Sequence, residues 1–241
     1  MQRNIQTFSM RLDKFLKDTG FGSRKEVKVL IKQKRVSVND TLISNEGLSI
    51  NEEKDIIKVD NNIVKYVKYV YIMLNKPKGV VSATVDNVHT TVIDLIKDYK
   101  YLELFPVGRL DIDTEGLLLI TNDGVLAHNL LSPKKHVDKT YLLHTDKKLT
   151  DEDLQVLEQG VYLDNELTLP AKIKKVNEFE YLLTIHEGKF HQVKRMVECV
   201  GKKVIYLKRI TFGSLVLDES LSLGEYRFLT EEEILKLTKK D

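Results

Sequence analysis

The segment GRLDIDTEGLLLITNDG, residues 108–124, places charged side chains directly before a long apolar run. Alternate side chains of an extended chain share a face, so Arg109, Asp111 and Asp113 are expected on one side and the two intervening apolar residues on the other. Burial raises the pKa of a carboxyl group, and a neighbouring cation opposes that rise. This pattern indicates either a structural ion pair or an ionised carboxylate, Asp111, kept ready for chemistry beside an apolar strand.

Other chemical signals are missing from the sequence. It contains no glycine-rich phosphate-binding motif, no G-x-S-x-G and no H-E-x-x-H. The six histidines lack the spacing of metal ligands, and a single cysteine, Cys199, excludes an intrachain disulfide or a cysteine-rich metal site. We therefore expect a protein that uses no cofactor and no metal.

The composition is that of an ordinary globular protein, with 42% hydrophobic and 31% charged residues. The longest apolar runs are too short to span a bilayer, and the N-terminus lacks the apolar region of a secretory signal. These features predict a cytoplasmic protein with no membrane partner, and we expect a monomer. A chain of 241 residues allows one large domain, or a large and a small one.

Positive charge is concentrated near the N-terminus. Residues 1–69 contain 14 Lys and Arg against 9 Asp and Glu, a net charge of +5, whereas the remainder carries −3. The spacing of apolar residues predicts an amphipathic helix that ends at Gly20. Ser23 and Glu26 have the spacing of a capping box, which predicts a second helix with a basic row. That row either binds a polyanion or is a solvated helix face.

The segment from Met10 to Asp40 resembles the S4 RNA-binding domain. In that family the second helix and the loop after it bring basic side chains to RNA phosphates, contacts that position RNA without reading its sequence. We expect this domain over residues 10–60, followed by a linker at 61–69. By position, the resemblance implies RNA contacts from Arg24, Lys25, Lys28, Lys32 and Arg35.

Residues 70–241 mix strands and helices without strict alternation, which predicts an α+β domain with a mixed, mostly antiparallel sheet. The apolar patterns predict strands at 69–75, 116–121, 139–145, 180–188 and 203–213. They predict helices at 91–96, 125–131, 150–160 and 190–201, and a last helix over TEEEILKL.

Four motifs in this part resemble those of the pseudouridine synthases, in the RsuA branch. The segment 108–124 resembles the family signature, and LNKPKG (74–79), DKTYLL (138–143) and EGKFHQVKRM (187–196) resemble three further motifs. An S4-like domain before the catalytic domain is also the arrangement of this branch. The resemblance implies an enzyme that isomerises uridine in RNA to its C-glycoside.

The resemblance also implies roles for individual residues. Asp111 matches the essential aspartate, which acts as nucleophile or base, and Arg109 matches an arginine associated with the flipped nucleotide. Tyr141 matches the aromatic residue that contacts the target uracil, and Lys194 matches the basic residue that pairs with the aspartate. We expect Arg109 or Lys194 to keep Asp111 charged in a pocket that excludes water.

Helical periodicity helps to choose between two neighbouring cations. Val193, Met196 and Val197 share one face of the predicted helix, Lys194 lies at its edge, and Arg195 points away. Lys194 is therefore better placed for the site and Arg195 for RNA. Lys76, in the first motif, is also expected to contact RNA.

The implied partner is ribosomal RNA, with a uridine of 16S rRNA as the target, either in free RNA or within a precursor particle during ribosome biogenesis. Base flipping would expose the uridine, and Asp111 would support cleavage of the glycosidic bond and rejoining through carbon. The alternatives are a 23S rRNA synthase, a non-catalytic RNA-binding assembly protein, and a glycosidase-like hydrolase.

Overall fold

A computed structural model describes residues 9–132 and 135–239. Residues 1–8, 133–134 and 240–241 lie outside the described residues. Backbone contacts divide the chain into two units. The first runs up to Lys68 and includes Asp98–Glu103, and the second comprises Tyr69–Lys97 and the chain from Leu104 onward. No helix in these described ranges is long and apolar enough to cross a membrane.

The first unit contains two short helices and two small antiparallel sheets. Strand β1 pairs with β4, and the other sheet has the order β3-β2-β5-β6. The strand β6 lies within the segment expected to be a linker. The elements are β1 (Met10–Arg11), α1 (Leu12–Asp18), α2 (Arg24–Lys32), β2 (Val36–Val38), β3 (Thr41–Leu42), β4 (Ser49–Ile50), β5 (Ile57–Val59) and β6 (Asn62–Ile63).

Helix α2 begins at the predicted capping box. The Ser23 hydroxyl accepts a hydrogen bond from Glu26 N, and the Glu26 carboxylate accepts one from Ser23 N at 2.7 Å. Val27 and Ile31 are fully buried in the core of this unit. Because these residues occupy one side of α2, its basic side chains are left on the exposed side.

The second unit is built on one nine-stranded sheet with the order β13-β14-β10-β15-β9-β7-β17, to which β16 and β8 add at β15 and β9. Its elements are β7 (Tyr71–Lys76), β8 (Phe105–Pro106), β9 (Glu115–Thr121), α3 (Gly124–Leu131), β10 (Lys139–Thr145), α4 (Asp151–Gln159), β11 (Tyr162–Leu163), β12 (Glu166–Leu167), β13 (Lys172–Lys175), β14 (Glu180–Ile185), α5 (Gln192–Cys199), β15 (Val204–Phe212), β16 (Leu215–Val216), β17 (Tyr226–Phe228) and α6 (Glu231–Thr238). The predicted α+β class and mixed, mostly antiparallel sheet are confirmed.

The apolar run after the charged segment becomes the central strand β9. Leu117 and Leu119 are completely buried and pack with Met73 of β7 and with Leu126 and Leu130 of α3. Helix α3 is capped by Asp123, whose carboxylate accepts hydrogen bonds from the main-chain N of the second and third residues after it. The core therefore fixes the C-terminal end of the segment 108–124.

Two pairings place side chains near one another at the end of β9. Strands β9 and β15 are parallel, with Arg209 opposite Gly116, while β10 and β15 are antiparallel, with Arg209 opposite Tyr141. Gly116 has φ of +103°, and a Cβ at this position would lie 2.2 Å from Arg209 O. Only glycine permits this close parallel pairing.

The helix predicted at 91–96 is not formed. The Asp94 carboxylate accepts hydrogen bonds from both the main-chain N and the hydroxyl of Thr91, and Ile96 N donates to Ile93 O. These contacts close a single turn, and the β-branched residues in the segment disfavour its extension into a helix. The prediction was wrong because local side-chain bonds compete with the helical ladder.

Replacing Gly116 by alanine should disrupt the β9–β15 pairing. We expect the Gly116→Ala variant to lose about 3 kcal/mol of unfolding free energy, because a Cβ meets backbone that cannot move aside. Urea denaturation measures the loss. Gly124→Ala is the matched control, since nothing lies within 4 Å of its Cβ position, and it should change stability by less than about 1 kcal/mol. Equal effects of the two variants would contradict the requirement for glycine at position 116.

Candidate active site

Asp111 lies in the loop between β8 and β9, and this loop turns rather than remaining extended. Thr114 N donates a hydrogen bond to Asp111 O at 3.0 Å, which closes a turn over Ile112 and Asp113. Leu110 is buried as expected, but Ile112 is 40% exposed. The predicted alternation therefore fails at Ile112, because the turn carries this side chain out to solvent.

Lys76 holds the main chain of this loop from the inside. Its side chain is completely buried, and Nζ donates hydrogen bonds to the carbonyl oxygens of Pro77 at 3.0 Å, Asp111 at 3.1 Å and Thr114 at 2.9 Å. The expected RNA contact of Lys76 is therefore wrong, since its ammonium group is enclosed by backbone. Burial lowers the pKa of Lys76 to about 8, although the charges of Asp111 and Asp113 oppose the shift.

A second set of contacts fixes the same loop to the segment after β7. The Ser82 hydroxyl donates to Leu110 O at 2.9 Å and accepts from Leu110 N at 3.0 Å. Gly79 N donates to Ile112 O at 2.7 Å. The main chain on both sides of Asp111 is thus fixed independently of its side chain.

Lys194 reaches the carboxylates of this loop from helix α5. Its Nζ lies 2.9 Å from Asp111 Oδ2 and 2.6 Å from Asp113 Oδ1. The apolar face of α5, including Val193 and Met196, is buried, which leaves Lys194 at its edge. Burial disfavours the charge on Lys194, but hydrogen bonds to Asp113 and Asp111 outweigh it and raise the pKa of the ammonium group. Lys194 is therefore charged beside Asp111.

The two arginines considered for this region have other environments. Arg109 is exposed and, within the described part of the chain, forms no ion pair with Asp111, although it lines the adjacent cavity. The Arg195 side chain is only 24% exposed. Its Nη2 lies 2.7 Å from Asp164 Oδ1, and Nη1 donates to Phe190 O. Of the two cations expected beside Asp111, the structure therefore selects Lys194.

A cavity of about 900 Å³ opens beside Asp111. Asp111, Arg109, Tyr141 and Val193 all contribute to its wall, and its volume is within the range of small-ligand pockets. The Asp111 side chain is 25% exposed, so the carboxylate reaches the cavity while Lys194 contacts it from behind the wall. Tyr141 is 8% exposed on strand β10.

Sequence reasoning missed the histidine at the start of α5. His191 has a left-handed backbone with φ of +48°, and its Nε2 lies 3.5 Å from Asp111 Oδ1. The exposed Phe190 ring stacks on His191 with centroids 3.8 Å apart and an interplanar angle of 17°. Nothing in the local sequence indicates this contact, because Asp111 and His191 belong to distant segments.

Two further cations of the cavity wall, the partly buried Lys139 and the buried Arg209, were also missed. The alternation of β10 places Lys139 on the face of Tyr141, which is a signal the sequence contains. Arg209 becomes its neighbour only through the pairing of β10 with β15. In the ranges 9–132 and 135–239, no group of three His, Cys, Asp or Glu side chains is arranged to hold a metal ion.

Comparison with known proteins identifies the family of both parts of the chain. Residues 70–198 match the RNA pseudouridylate synthase family, and residues 10–57 match the S4 domain. An uncharacterised RNA pseudouridine synthase of Bacillus subtilis is 48% identical, covering 93% of this chain and 97% of that protein. Ribosomal small subunit pseudouridine synthase A of Vibrio cholerae is 41% identical, covering 95% of this chain and 100% of its own.

A solved pseudouridylate synthase is 37% identical with a TM-score of 0.68, and the match covers 95% of this chain and all of that one. An α+β domain with Asp111 paired to a lysine in the wall of a cavity fits this class of isomerase. The chain belongs to the RNA pseudouridylate synthase family, with an S4 domain before the catalytic domain.

Replacing Lys76 should expose its role in the loop. The Lys76→Met variant leaves three carbonyl oxygens without their donor, so we expect it to lose about 2–4 kcal/mol of unfolding free energy near pH 7. The folded-state pKa of about 8 lies below the unfolded value of 10.5. Between these values the folded wild type binds fewer protons than the unfolded chain, so its stability rises with pH.

The deficit of Lys76→Met relative to wild type should therefore grow as pH rises from about 8 towards 10. Urea denaturation over this range measures it. Lys174→Met, which changes an exposed lysine of β13, should show no such trend. A deficit that shrinks with pH would contradict the role given to Lys76.

Proposed function

We propose that this enzyme isomerises a uridine of small-subunit ribosomal RNA, acting as a cytoplasmic monomer. The proposal rests on similarity along nearly the full length to ribosomal small subunit pseudouridine synthases A, including 44% identity to that of Vibrio vulnificus. The observation that carries the chemistry is the Asp111 carboxylate, paired with Lys194 at 2.9 Å, in the wall of a nucleotide-sized cavity.

In the proposed reaction the target uridine leaves its stack and enters the cavity. The bond between C1′ and N1 breaks, the base turns, and C1′ bonds to C5. The hydrogen of C5 leaves as a proton and N1 gains one, so product and substrate have the same composition. Water must be excluded until C1′ is bonded again, because hydrolysis would release the base.

We assign the role of reacting carboxylate, as nucleophile or base, to Asp111. Lys194 stabilises its charge through the 2.9 Å hydrogen bond, and the loop contacts of Lys76 fix where it points. Asp113 holds Lys194 from the other side at 2.6 Å, and its side chain is 49% exposed. The two carboxylates are therefore assigned different tasks, one for reaction and one for positioning the lysine.

Tyr141 and Arg109 are assigned contacts with the extruded nucleotide. Tyr141 offers an aromatic face in the cavity wall, and the exposed Arg109 is free to contact the displaced neighbours of the target. Unstacking a base costs on the order of a few kcal/mol, and contacts with the RNA must offset that cost.

The basic helix of the S4 domain is assigned phosphate contacts. Arg24, Lys25 and Lys32 are exposed and form no ion pair within the described residues. Lys28 pairs with Glu46 at 2.8 Å and Arg35 with Asp60 at 2.5 Å. Exposed pairs of this kind are weak, so phosphates are able to compete for the two paired cations, but the three unpaired ones are the stronger candidates.

Removing the Asp111 carboxylate should abolish isomerisation. Cells lacking the protein should lose one pseudouridine of 16S rRNA in position-resolved mapping, and the Asp111→Asn variant should fail to restore it. In vitro, we expect tritium release from carbon 5 of labelled uridine in 16S rRNA to fall at least about a thousandfold. RNA binding should remain, because the phosphate contacts are unchanged.

Asp113→Asn is the matched control and should keep activity within about tenfold, since Lys194 still pairs with Asp111. Equal losses of isomerase activity in Asp111→Asn and Asp113→Asn would contradict the role assigned to Asp111. Loss of a pseudouridine from 23S rRNA would contradict the proposal that 16S rRNA is the substrate. A loss of RNA mass equal to uracil would indicate a hydrolase. An unchanged pseudouridine map in cells lacking the protein would indicate a protein that binds RNA without modifying it.

Neutralising the basic helix should reduce the dependence of RNA binding on salt. Each phosphate contact contributes nearly one unit to the slope of log K against log salt. Changing Arg24, Lys25 and Lys32 together to glutamine should lower that slope by about 2–3, measured by titration of a 16S rRNA transcript. The control is a triple glutamine variant of exposed cations outside α2, namely Lys17, Lys54 and Lys65. Identical slopes in the two variants would refute the interface.

A further inference from the structure

Arg209 is a buried cation that the proposed chemistry does not use. It is 1% exposed on β15, yet it contributes to the cavity wall. Nε donates to Leu117 O at 2.8 Å, but Nη2 is buried and has no hydrogen-bond partner among the described residues. An unpaired guanidinium nitrogen in such a place is costly unless a bound molecule supplies an acceptor.

Lys139 is a second cation beside the first. Its Nζ donates to Val137 O at 2.9 Å, which leaves two of its three hydrogens for other acceptors. Nζ lies 5.8 Å from the centre of the Phe212 ring and Arg209 Cζ lies 5.0 Å from it, so both cations border the same ring. Burial and the charge of Arg209 lower the pKa of Lys139, while Asp138 and Glu187 oppose the shift.

Strand register places both cations next to Tyr141. Arg209 is its direct partner across the β10–β15 pair, and Lys139 precedes it by two residues on the same strand. Residues with these relations project from the same face of a sheet. Neither Lys139 nor Arg209 forms an ion pair with a carboxylate in the part of the chain that the structure describes. The face around Tyr141 therefore presents hydrogen-bond donors and positive charge.

We propose that Arg209 and Lys139 bind the O4 oxygen of the flipped uracil and so select uridine over cytidine. This inference rests on the proposed function, because it takes Tyr141 as the surface that receives the base. Uracil presents a carbonyl acceptor at position 4, whereas cytosine presents an amino donor there. Arg209 Nη2, which has no acceptor among the described residues, and the two remaining hydrogens of Lys139 Nζ favour the first and reject the second.

The depth of Arg209 argues against a phosphate as the bound group. A side chain that is 1% exposed and lies beside a nearly buried tyrosine contacts a planar base edge more readily than the hydrated RNA backbone. The exposed cations of the same chain, Arg109 among them, are better placed for phosphates.

Binding of three small probes to the full-length protein tests the assignment. Uridine 5′-monophosphate, cytidine 5′-monophosphate and ribose 5-phosphate are titrated while amide chemical shifts are followed, which also reports whether each variant is folded. The variants are Arg209→Met, Arg209→Lys and Lys139→Met, with Lys174→Met as an exposed control on β13.

Wild type and the control should prefer the uridine nucleotide, and Arg209→Met should reduce this preference by on the order of 10- to 100-fold, the range for a charged hydrogen bond. Arg209→Lys should keep part of it, and Lys139→Met should reduce it less than Arg209→Met. Ribose 5-phosphate binding should not change. If Arg209→Met fails to fold, the Lys139→Met variant provides the test. Its replacement is less disruptive, because the Lys139 side chain is only partly buried.

An unchanged preference in the folded variants would overturn the proposal. A parallel loss for all three probes would also overturn it, because it would identify a phosphate site. Failure of the proposed function is separately visible, since Asp111→Asn should lose tritium release while keeping the preference for the uridine nucleotide. Absence of tritium release in the wild type would refute the function without moving the nucleotide preference.

Discussion

The ion pair between Asp111 and Lys194 depends on a loop whose main chain is held by a different lysine. Lys76 donates to three carbonyl oxygens of this region, two of them at Asp111 and Thr114, while Lys194 holds the Asp111 side chain at 2.9 Å. A buried ammonium group is costly unless its hydrogens are satisfied, and here backbone oxygens satisfy all three. Because β7 supplies one lysine and α5 the other, the carboxylate acquires its position only when β7 has paired with β9 in the sheet and α5 has packed against that sheet.

The cavity beside this pair contains few carboxylates. Of the described residues that line it, only Asp111 and Glu187 are acidic, and Glu187 Oε1 already accepts hydrogen bonds from Leu169 N and Gln192 Nε2. Glycoside hydrolases commonly use two carboxyl groups, one of them to protonate the leaving group and the other to attack the sugar or activate water. An isomerase retains the detached base, so one carboxylate is sufficient if water is kept away. The hydrogen bonds of Glu187 indicate a structural role, which is consistent with a site in which Asp111 is the single reacting carboxylate.

Much of the local structure could be predicted from the sequence, and the exceptions share a physical cause. The capping box of Ser23 and Glu26 and the strand Lys139–Thr145 follow from short-range patterns and are present as predicted. The burial of Lys76 is decided by carbonyl groups of residues up to 38 positions away, and no local pattern reveals it. The same holds for Arg209, whose place beside Tyr141 depends on the antiparallel pairing of β10 with β15. The residues that form the competing hydrogen bonds, Thr91 and Asp94, are close together in the sequence, but the apolar spacing of this segment favoured a helix.

Affinity and choice of base have separate physical requirements in this chain. Contacts between a basic helix and phosphates are independent of sequence, so the phosphate contacts proposed for Arg24, Lys25 and Lys32 would add affinity for RNA without distinguishing uridine from cytidine. Such contacts offset the cost of unstacking equally for any base. Discrimination therefore has to arise where the base itself is held, and it requires donors that are poorly satisfied when the wrong base enters. Arg209 meets that requirement in the proposed contact, because its Nη2 has no acceptor among the described residues and would gain one only from a base with a carbonyl group at position 4.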